Sequence, residues 1–324
     1  MKFVSGAALA LLAGIPGVAA QTCWAADYPV KAIRMIVPFA PSGSTDMVAR
    51  ITSGMLGEQF KQQVVVENKP GGGTVIGMQA VATAAPDGYT LLFGSSALAN
   101  YPSLYKKLVL DVQRDLAPVT LVGSGPYLIA VHPSVPVRTV AELVAYAKSK
   151  PGQLNIGSAG SGSANHLAGE LFKSVAGVNI LHVQYKGSGP ALVAAMAGEV
   201  QLIIEPIISA KAYVSAEKLR ALAVTSDQRS SAVPELPTAA ENGLPGYEAS
   251  YWLGVHAPAG TPKDIIAKLS TTIAAILRNA NVRTQLAAQG VEPIGNNPVE
   301  FAARITSDIE KWGKVIRDAG VPPE

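Results

Sequence analysis

Ser42-Gly43-Ser44-Thr45-Asp46 and Ser161-Gly162-Ser163-Ala164-Asn165-His166 begin two copies of one small-residue stretch, SGSTDMVA and SGSANHLA, more than a hundred residues apart. Each copy follows an apolar run and opens a helical pattern. Glycine and serine let a backbone approach a ligand closely, and the first N–H groups of a helix have no partner inside it and lie at the positive end of its dipole. Each turn is therefore a candidate seat for a carboxylate. The plainer role is capping, because Asp46 and Asn165 stand at the same place in the two copies and both residue types cap helices well. The matched pair favours the ligand seat over two unrelated caps.

Other chemistry has less to stand on. Neither turn has G-x-G-x-x-G spacing, the Gly71-Gly72-Gly73 loop lacks the final glycine three residues on, and G-x-x-x-x-G-K-[ST] does not occur, so no nucleotide or other cofactor is expected. The serine-rich GSAGSGS, from Gly157 to Ser163, contains no G-x-S-x-G elbow. An exported hydrolase would have to use a serine such as Ser161 with His166 as its base, and no acid is in place to orient that imidazole. His132 and His256 follow apolar strands and His182 lies within one, which makes them core or surface residues; His166, in the first turn of a helix, is the histidine placed to see a ligand. No H-E-x-x-H or other metal spacing appears, so no metal is expected.

The elements that must carry these turns follow from periodicity. Ile33-Arg34-Met35-Ile36-Val37 reads as a strand before the first turn, and Met47, Val48, Ile51, Met55, Leu56 and Phe60 recur at helical spacing after it. The second copy has Leu154-Asn155-Ile156 before it and Leu167, Leu171, Phe172 and Val175 after it. Next come VVVENKPGGG and LHVQYKGSGP, both strands ending at a lysine and glycines, then a third strand in each half at Tyr89–Gly94 and Val200–Ile204. Strands alternating with helices imply βαβαβ units, whose ligands sit beyond the carboxyl ends of the strands. Extended passages around GSGP, before Tyr127, and into Tyr251-Trp252-Leu253 carry the chain out and back, near residues 124 and 249. Two amphipathic faces close the chain, one through Ile265, Ile266, Leu269, Ile273, Ile276 and Leu277, the other through Phe301, Ile305, Ile309, Trp312, Val315 and Ile316, and both are expected to cover the first sheet.

At 324 residues the chain fits two domains. An apolar share of 48%, charge of 15% and a net charge of +3 without a basic run exclude a nucleic-acid footprint and a disordered tail. MKFVSGAALALLAGIPGVAA has one lysine, a short apolar core and small residues at its end, which reads as a secretory signal over residues 1–26, cut after Ala20 or near Ala25 and Ala26. The single cysteine, Cys23, excludes an internal disulfide and a thiolate metal cluster. No later run is long enough to span a bilayer.

Taken in order, YPVKAIRMIVPFAPSGSTD, VVENKPGGG, APDGYTLLFGSS, NIGSAGSGSANHLAGELF, VQYKGSGPAL, PELPTAAENGLPGYEASYWLGVHAPAGTP and KWGKVIRDAG closely resemble the substrate-binding receptors of tripartite tricarboxylate transporters, the Bug family, from Tyr28 to about Gly320. The resemblance implies a type II-like periplasmic-binding-protein fold of the α/β class: two lobes, each an open sheet flanked by helices, joined by a hinge of two crossing strands. The lobes would be residues 27–124 with 249–324, and 125–248. It implies a periplasmic, monomeric receptor without catalysis that closes over a small organic acid and docks on a membrane permease.

Carried over residue by residue, the family's carboxylate-holding turns match Phe39, Ser42, Gly43, Ser44, Thr45 and Asp46, and Ser158, Gly160, Ser161, Gly162, Ser163 and His166. Further pocket positions match Ser95, Ser96 and Asn100, and Tyr185, Gly187 and Ser188. Where many relatives have G-Q-V-D-L-M-F-D this chain has Gly198-Glu199-Val200-Gln201-Leu202-Ile203-Ile204-Glu205, which puts Glu205 where an aspartate would select the ligand's far group. A sensor that binds the same acid without transport is a close variant, and the alternatives from other classes are the exported hydrolase and an interaction module with a vestigial cleft.

Overall fold

Four of the five residues of Ile33–Val37 are buried, so this strand is covered on both faces, which is why it reads as an apolar run instead of an alternation. The computed structural model describes residues 28–107, 109–318 and 320–321. The secretory signal and Cys23 lie outside the described residues. From β1 (Ile33–Val37) the chain runs through α1 (Ser44–Phe60), β2 (Val64–Asn68), α2 (Val75–Ala82), β3 (Thr90–Ser95), α3 (Ala97–Leu104) and α4 (Val112–Asp115) into β4 (Leu116–Val131). It continues as α5 (Val140–Ser149), β5 (Asn155–Ser158), α6 (Ala164–Ala176), β6 (Leu181–Gln184), α7 (Ser188–Met196), β7 (Leu202–Pro206), α8 (Ile207–Ser215) and β8 (Arg220–Val224). A return strand, β9 (Ser250–Pro258), leads to α9 (Lys263–Arg278), α10 (Ala280–Ala287), β10 (Glu292–Pro293) and α11 (Pro298–Asp318).

The repeat seen in the sequence is a repeat of topology. β1 lies between β2 and β3, parallel to both, and β5 lies between β6 and β7, parallel to both. Each trio then meets an antiparallel neighbour, β9 beside β3 and β4 beside β7. The two turns thus leave their sheets from equivalent middle strands.

The expectation of two open sheets is corrected: the strands form one continuous sheet in the order β2-β1-β3-β9-β4-β7-β5-β6, with β8 and β10 also on β4. β4 is the reason. Its first part, Leu116–Pro126, pairs with β9, and its second, Tyr127–Val131, pairs with β7 and β8, so GSGP does not interrupt the strand. Gly123 and Gly125 serve close approach instead of flexibility: a Cβ would come 2.8 Å from the Glu292 carbonyl oxygen at the first and 2.3 Å from that of Gly290 at the second.

The closing helices pack as their periodicity requires. Ile265, Leu269, Ile273 and Leu277 of α9 are buried where it meets β4 and α1, and Phe301, Ile305, Trp312 and Ile316 of α11 are buried where it meets α3 and β4. Each such side chain stabilises the fold by about 1.5–3 kcal/mol through the apolar area it removes from water. Trp252 of β9 sits at the centre of this region, edge-on to Phe301 with its indole N–H donated to Asp308 Oδ2 at 2.6 Å. No helix among the described residues is long and apolar enough to cross a membrane.

Candidate ligand-binding cleft

β1 delivers the first turn to the start of α1. Ser42, at φ 70°, donates its N–H to Asp46 Oδ2 at 3.0 Å, and Gly43 is the N-cap with no side chain capping the helix. The N–H groups of Ser44, Thr45 and Asp46 are therefore the open donors of the first turn. The Asp46 carboxylate is occupied: it also accepts from Arg50 Nε and from Asn68 Nδ2, each at 2.9 Å, and Asn68 donates on to the Phe39 carbonyl at 3.0 Å. Burial works to raise the Asp46 pKa, but the donors from Arg50, Ser42 and Asn68 outweigh it and hold the carboxyl below its ordinary value. Its side chain fixes the turn and does not line the cleft.

The second turn is tied more tightly. Ser163 caps α6, accepting from the His166 N–H at 3.3 Å and donating to the Gly160 carbonyl at 2.6 Å, which leaves the N–H groups of Ala164 and Asn165 at the helix start. Gly162 donates its N–H to His166 Nδ1 at 3.0 Å and accepts from Asn100 Nδ2 at 2.9 Å, so Asn100 anchors this turn to α3.

The expected ligand contact through His166 does not match its surroundings. Its Nδ1 accepts a backbone N–H, so the neutral ring carries its proton on Nε2, which lies 3.5 Å from Glu170 Oε1. The ring stacks on His182 at 3.9 Å and 14°, and His182 Nε2 lies 2.5 Å from Ser158 Oγ. Burial and the neighbouring His166 push His182 down to about 3. Burial pushes Glu170 up, but hydrogen bonds from His166 and Lys173 hold it at about 2. His166, Glu170 and His182 bring ligand atoms within 4.8 Å of one another, as a metal site would. Stacked rings, a His166 Nδ1 that accepts instead of donating, and a Glu170 already paired with Lys173 at 2.7 Å do not suit a metal.

The opposite side is built at the start of α7. Gly187, at φ 135°, is its N-cap, and a Cβ there would lie 3.1 Å from Ala40 Cβ, so glycine is required both by conformation and by space. The missing Cβ of Gly43 would lie 3.3 Å from Ser188 Cβ, so the first turn and α7 meet directly. Nearer the crossing strands stand Tyr127 of β4 and Tyr251 of β9, ring centroids 5.3 Å apart. Both phenols are buried with no hydrogen-bond partner for their hydroxyls, and burial pushes both well above the ordinary tyrosine value, so they are neutral donors.

These parts border a partly open space of about 410 Å³. Phe39, Gly43, Ser44 and Thr45 line it from the first turn; Ser163 and Asn165 from the second; Ser95 and Ser188 complete the polar wall; Tyr127, Tyr251 and Leu253 stand at the crossing strands. Four helices begin in this wall, α1, α6, α7 and α8, the last through Pro206, and α3 starts two residues after Ser95. No aspartate, glutamate, lysine, arginine or histidine lines it. Converging helix dipoles, open N–H groups and hydroxyls with no countercharge suit one small anionic group on a partly apolar body.

Of the remaining sequence-derived positions, Gly160, Ser161 and Tyr185 line an adjoining cavity of about 890 Å³ that shares Phe39 and Ser163 with the first. Ser42, Asp46, Ser96, Asn100, Ser158, Gly162, His166 and Gly187 line neither cavity. Glu205 is fully buried behind Asn165 and Ser188: Asn165 donates its amide to Oε1 and Ser209 donates its hydroxyl to Oε2 at 3.3 Å. Burial pushes the Glu205 carboxyl up to about 7, against hydrogen bonds from Ser188, Asn165 and Ser209. It therefore acts on the cleft through Asn165 and does not reach in itself. Tyr127, Tyr251 and Asn165 were missed as wall residues; the signal for the tyrosines was their place at the two passages between halves.

Known proteins agree with this architecture. The family described as the tripartite tricarboxylate transporter family receptor matches residues 48–321. The chain is 39% identical to Protein BugT of Bordetella pertussis over 316 residues, 97% of each chain. An R. palustris protein solved with adipate is 37% identical with a TM-score of 0.88, over 92% of this chain and 100% of that one. The periplasmic binding protein BugD is 34% identical with a TM-score of 0.87, over 92% and 100%. The fold is accordingly the α/β periplasmic-binding-protein fold.

Proposed function

Because the chain belongs to the tripartite tricarboxylate transporter receptor family, whose solved relatives include a periplasmic binding protein, we propose that it captures a small organic acid between two lobes and presents it to membrane permease subunits. The lobes are residues 27–124 with 249–324, and 125–248, moving about the passages of β4 and β9, and the chain is exported with its leader removed. The observation that carries this reading is the uncharged wall into which four helices point their N-termini, with two buried tyrosine hydroxyls left without partners. Adipate in a relative of the same fold supports an acid as the ligand class. A receptor without catalysis also agrees with His166 being engaged by Gly162 and Glu170 and not by Ser161.

Carboxylate binding is tested by isothermal titration and thermal shift across mono- and dicarboxylates, aromatic acids and acidic amino acids. A bound acid at a hundredfold excess over its Kd raises stability by roughly 3 kcal/mol. Folded protein that binds none of these acids would overturn the reading.

A further inference from the structure

Near the end of β7, Glu205 is fully buried behind two residues that line the cleft, Asn165 and Ser188, and both hydrogen-bond to its carboxyl. Its third partner, Ser209 of α8, is also neutral. The elements packed around it bring no cation beside it among the described residues. α6 carries His166, Glu170 and Lys173, but these engage one another and His182. α8 carries Tyr213 and Lys211, whose ammonium donates to the Ala288 carbonyl at 3.1 Å. β4 and β9 bring Tyr127 and Tyr251, both neutral phenols, and His256 of β9 packs on Trp252 and Phe301 instead. β5 and α7 bring no titratable side chain.

The hydrogen bonds around Glu205 leave a place for a proton. Ser209 Oγ lies 3.3 Å from Glu205 Oε2 and 2.9 Å from the Pro206 carbonyl oxygen, and its single O–H cannot serve both acceptors fully. A proton on Oε2 satisfies all three groups: Oε2–H donates to Ser209 Oγ, Ser209 donates to the Pro206 carbonyl, and Oε1 still accepts from the Asn165 amide. A carboxylate seated at the helix starts lies against the wall that Asn165 and Ser188 form, and a single side chain then separates it from Glu205. Like charges so placed, with little water between them, favour the protonated form of the buried acid. Burial has already pushed that carboxyl up to about 7. Resting on the receptor reading above, we propose that Glu205 is a proton-linked positioning residue: as a carboxylate settles at the helix starts, Glu205 Oε2 takes up a proton from solvent, and the wall behind the bound anion becomes neutral.

The test uses the full chain and isothermal titration with hexanoate, benzoate and adipate at about pH 7.5, in two buffers of unlike ionisation enthalpy. Wild type is expected to take up roughly half a proton or more per acid bound, and its affinity to fall roughly fivefold or more between about pH 6.5 and about pH 8.5. Glu205→Gln, neutral at every pH, loses this uptake and binds with a level affinity over that range, which altered packing alone would not produce. Infrared difference spectra of wild type give the answer without a substitution: a protonated-carboxyl band is gained on binding, and its absence counts against the proposal. Carboxylate binding without proton uptake in wild type, or uptake undiminished in Glu205→Gln, overturns the proposal and leaves the receptor reading intact. Protein that binds no carboxylate removes both.

Discussion

Asn165, a residue of the cleft wall, donates its side-chain amide to Glu205, a fully buried carboxyl one layer behind. Asp46, at the same place in the first copy of the turn, is instead held by Arg50 and Asn68. One copy therefore holds its own buried acid in an ion pair with a half-exposed arginine, and the other leans on an acid in the core.

That core acid gives the first prediction. Glu205 has a folded pKa of about 7 against an ordinary value of 4.5, so the folded chain keeps a proton that the unfolded chain loses across this range, and stability falls as pH rises from one value to the other. Glu205→Gln mimics the protonated acid and removes the slope. The variant should match wild type near pH 5 and exceed it by about 3 kcal/mol near pH 8, a rise of several degrees in Tm. Calorimetry at both pH values checks this, and equal midpoints at the higher pH would contradict it.

Gly189 tests closure. It lies in the first turn of α7, where a Cβ would come within 3.0 Å of the Pro41 carbonyl oxygen across the cleft. On the proposed receptor reading the unliganded lobes part and relieve this contact, and alanine favours a helix by up to about 1 kcal/mol over glycine, so Gly189→Ala should melt no lower than wild type without ligand. It should nonetheless bind the cognate acid roughly tenfold more weakly, because the added methyl opposes the closed arrangement. Unchanged affinity by titration calorimetry would mean that the ligand-bound form does not bring α7 against Pro41.

The buried histidines predict the acid limb of stability. His182 and His256 are both pushed down to about 3, chiefly by burial, so the folded chain refuses protons that the unfolded chain accepts below the ordinary value of 6.5. Stability contributed by their neutral forms is present above that value and declines as pH falls, by about 1.4 kcal/mol per pH unit for each group. Glu205 acts in the opposite sense over part of this range, so urea midpoints are best compared in the Glu205→Gln background. There, His256→Leu should halve the slope between about pH 6.5 and pH 5. An unaltered slope would mean that His256 titrates normally.

Much of the site was legible because it repeats. Two strand-turn-helix copies could be found from glycine, serine and helical spacing alone, and they do open from equivalent strands. The differing fates of Asp46 and Asn165 could not be read, since their partners Asn68 and Glu205 come from β2 and β7 and are fixed by sheet register. Tyr127 and Tyr251 could be placed at the two passages between halves but not beside each other, since the register that sets Gly125 opposite Tyr251 and Tyr127 opposite Pro206 has no local signal. The glycines of GSGP read equally well as a hinge or as room for a neighbouring backbone, and Glu292 and Gly290 decide for the second.

β4 passes its pairing from β9 to β7 between Pro126 and Tyr127 without a break. On the proposed two-lobe reading, jaws mounted on such a strand would swing by torsion of a hydrogen-bonded ribbon, with Tyr127 and Tyr251 beside the fulcrum. Contacts near such an axis would travel little and set how tightly an acid is gripped, whereas contacts far from it would set whether the jaws shut.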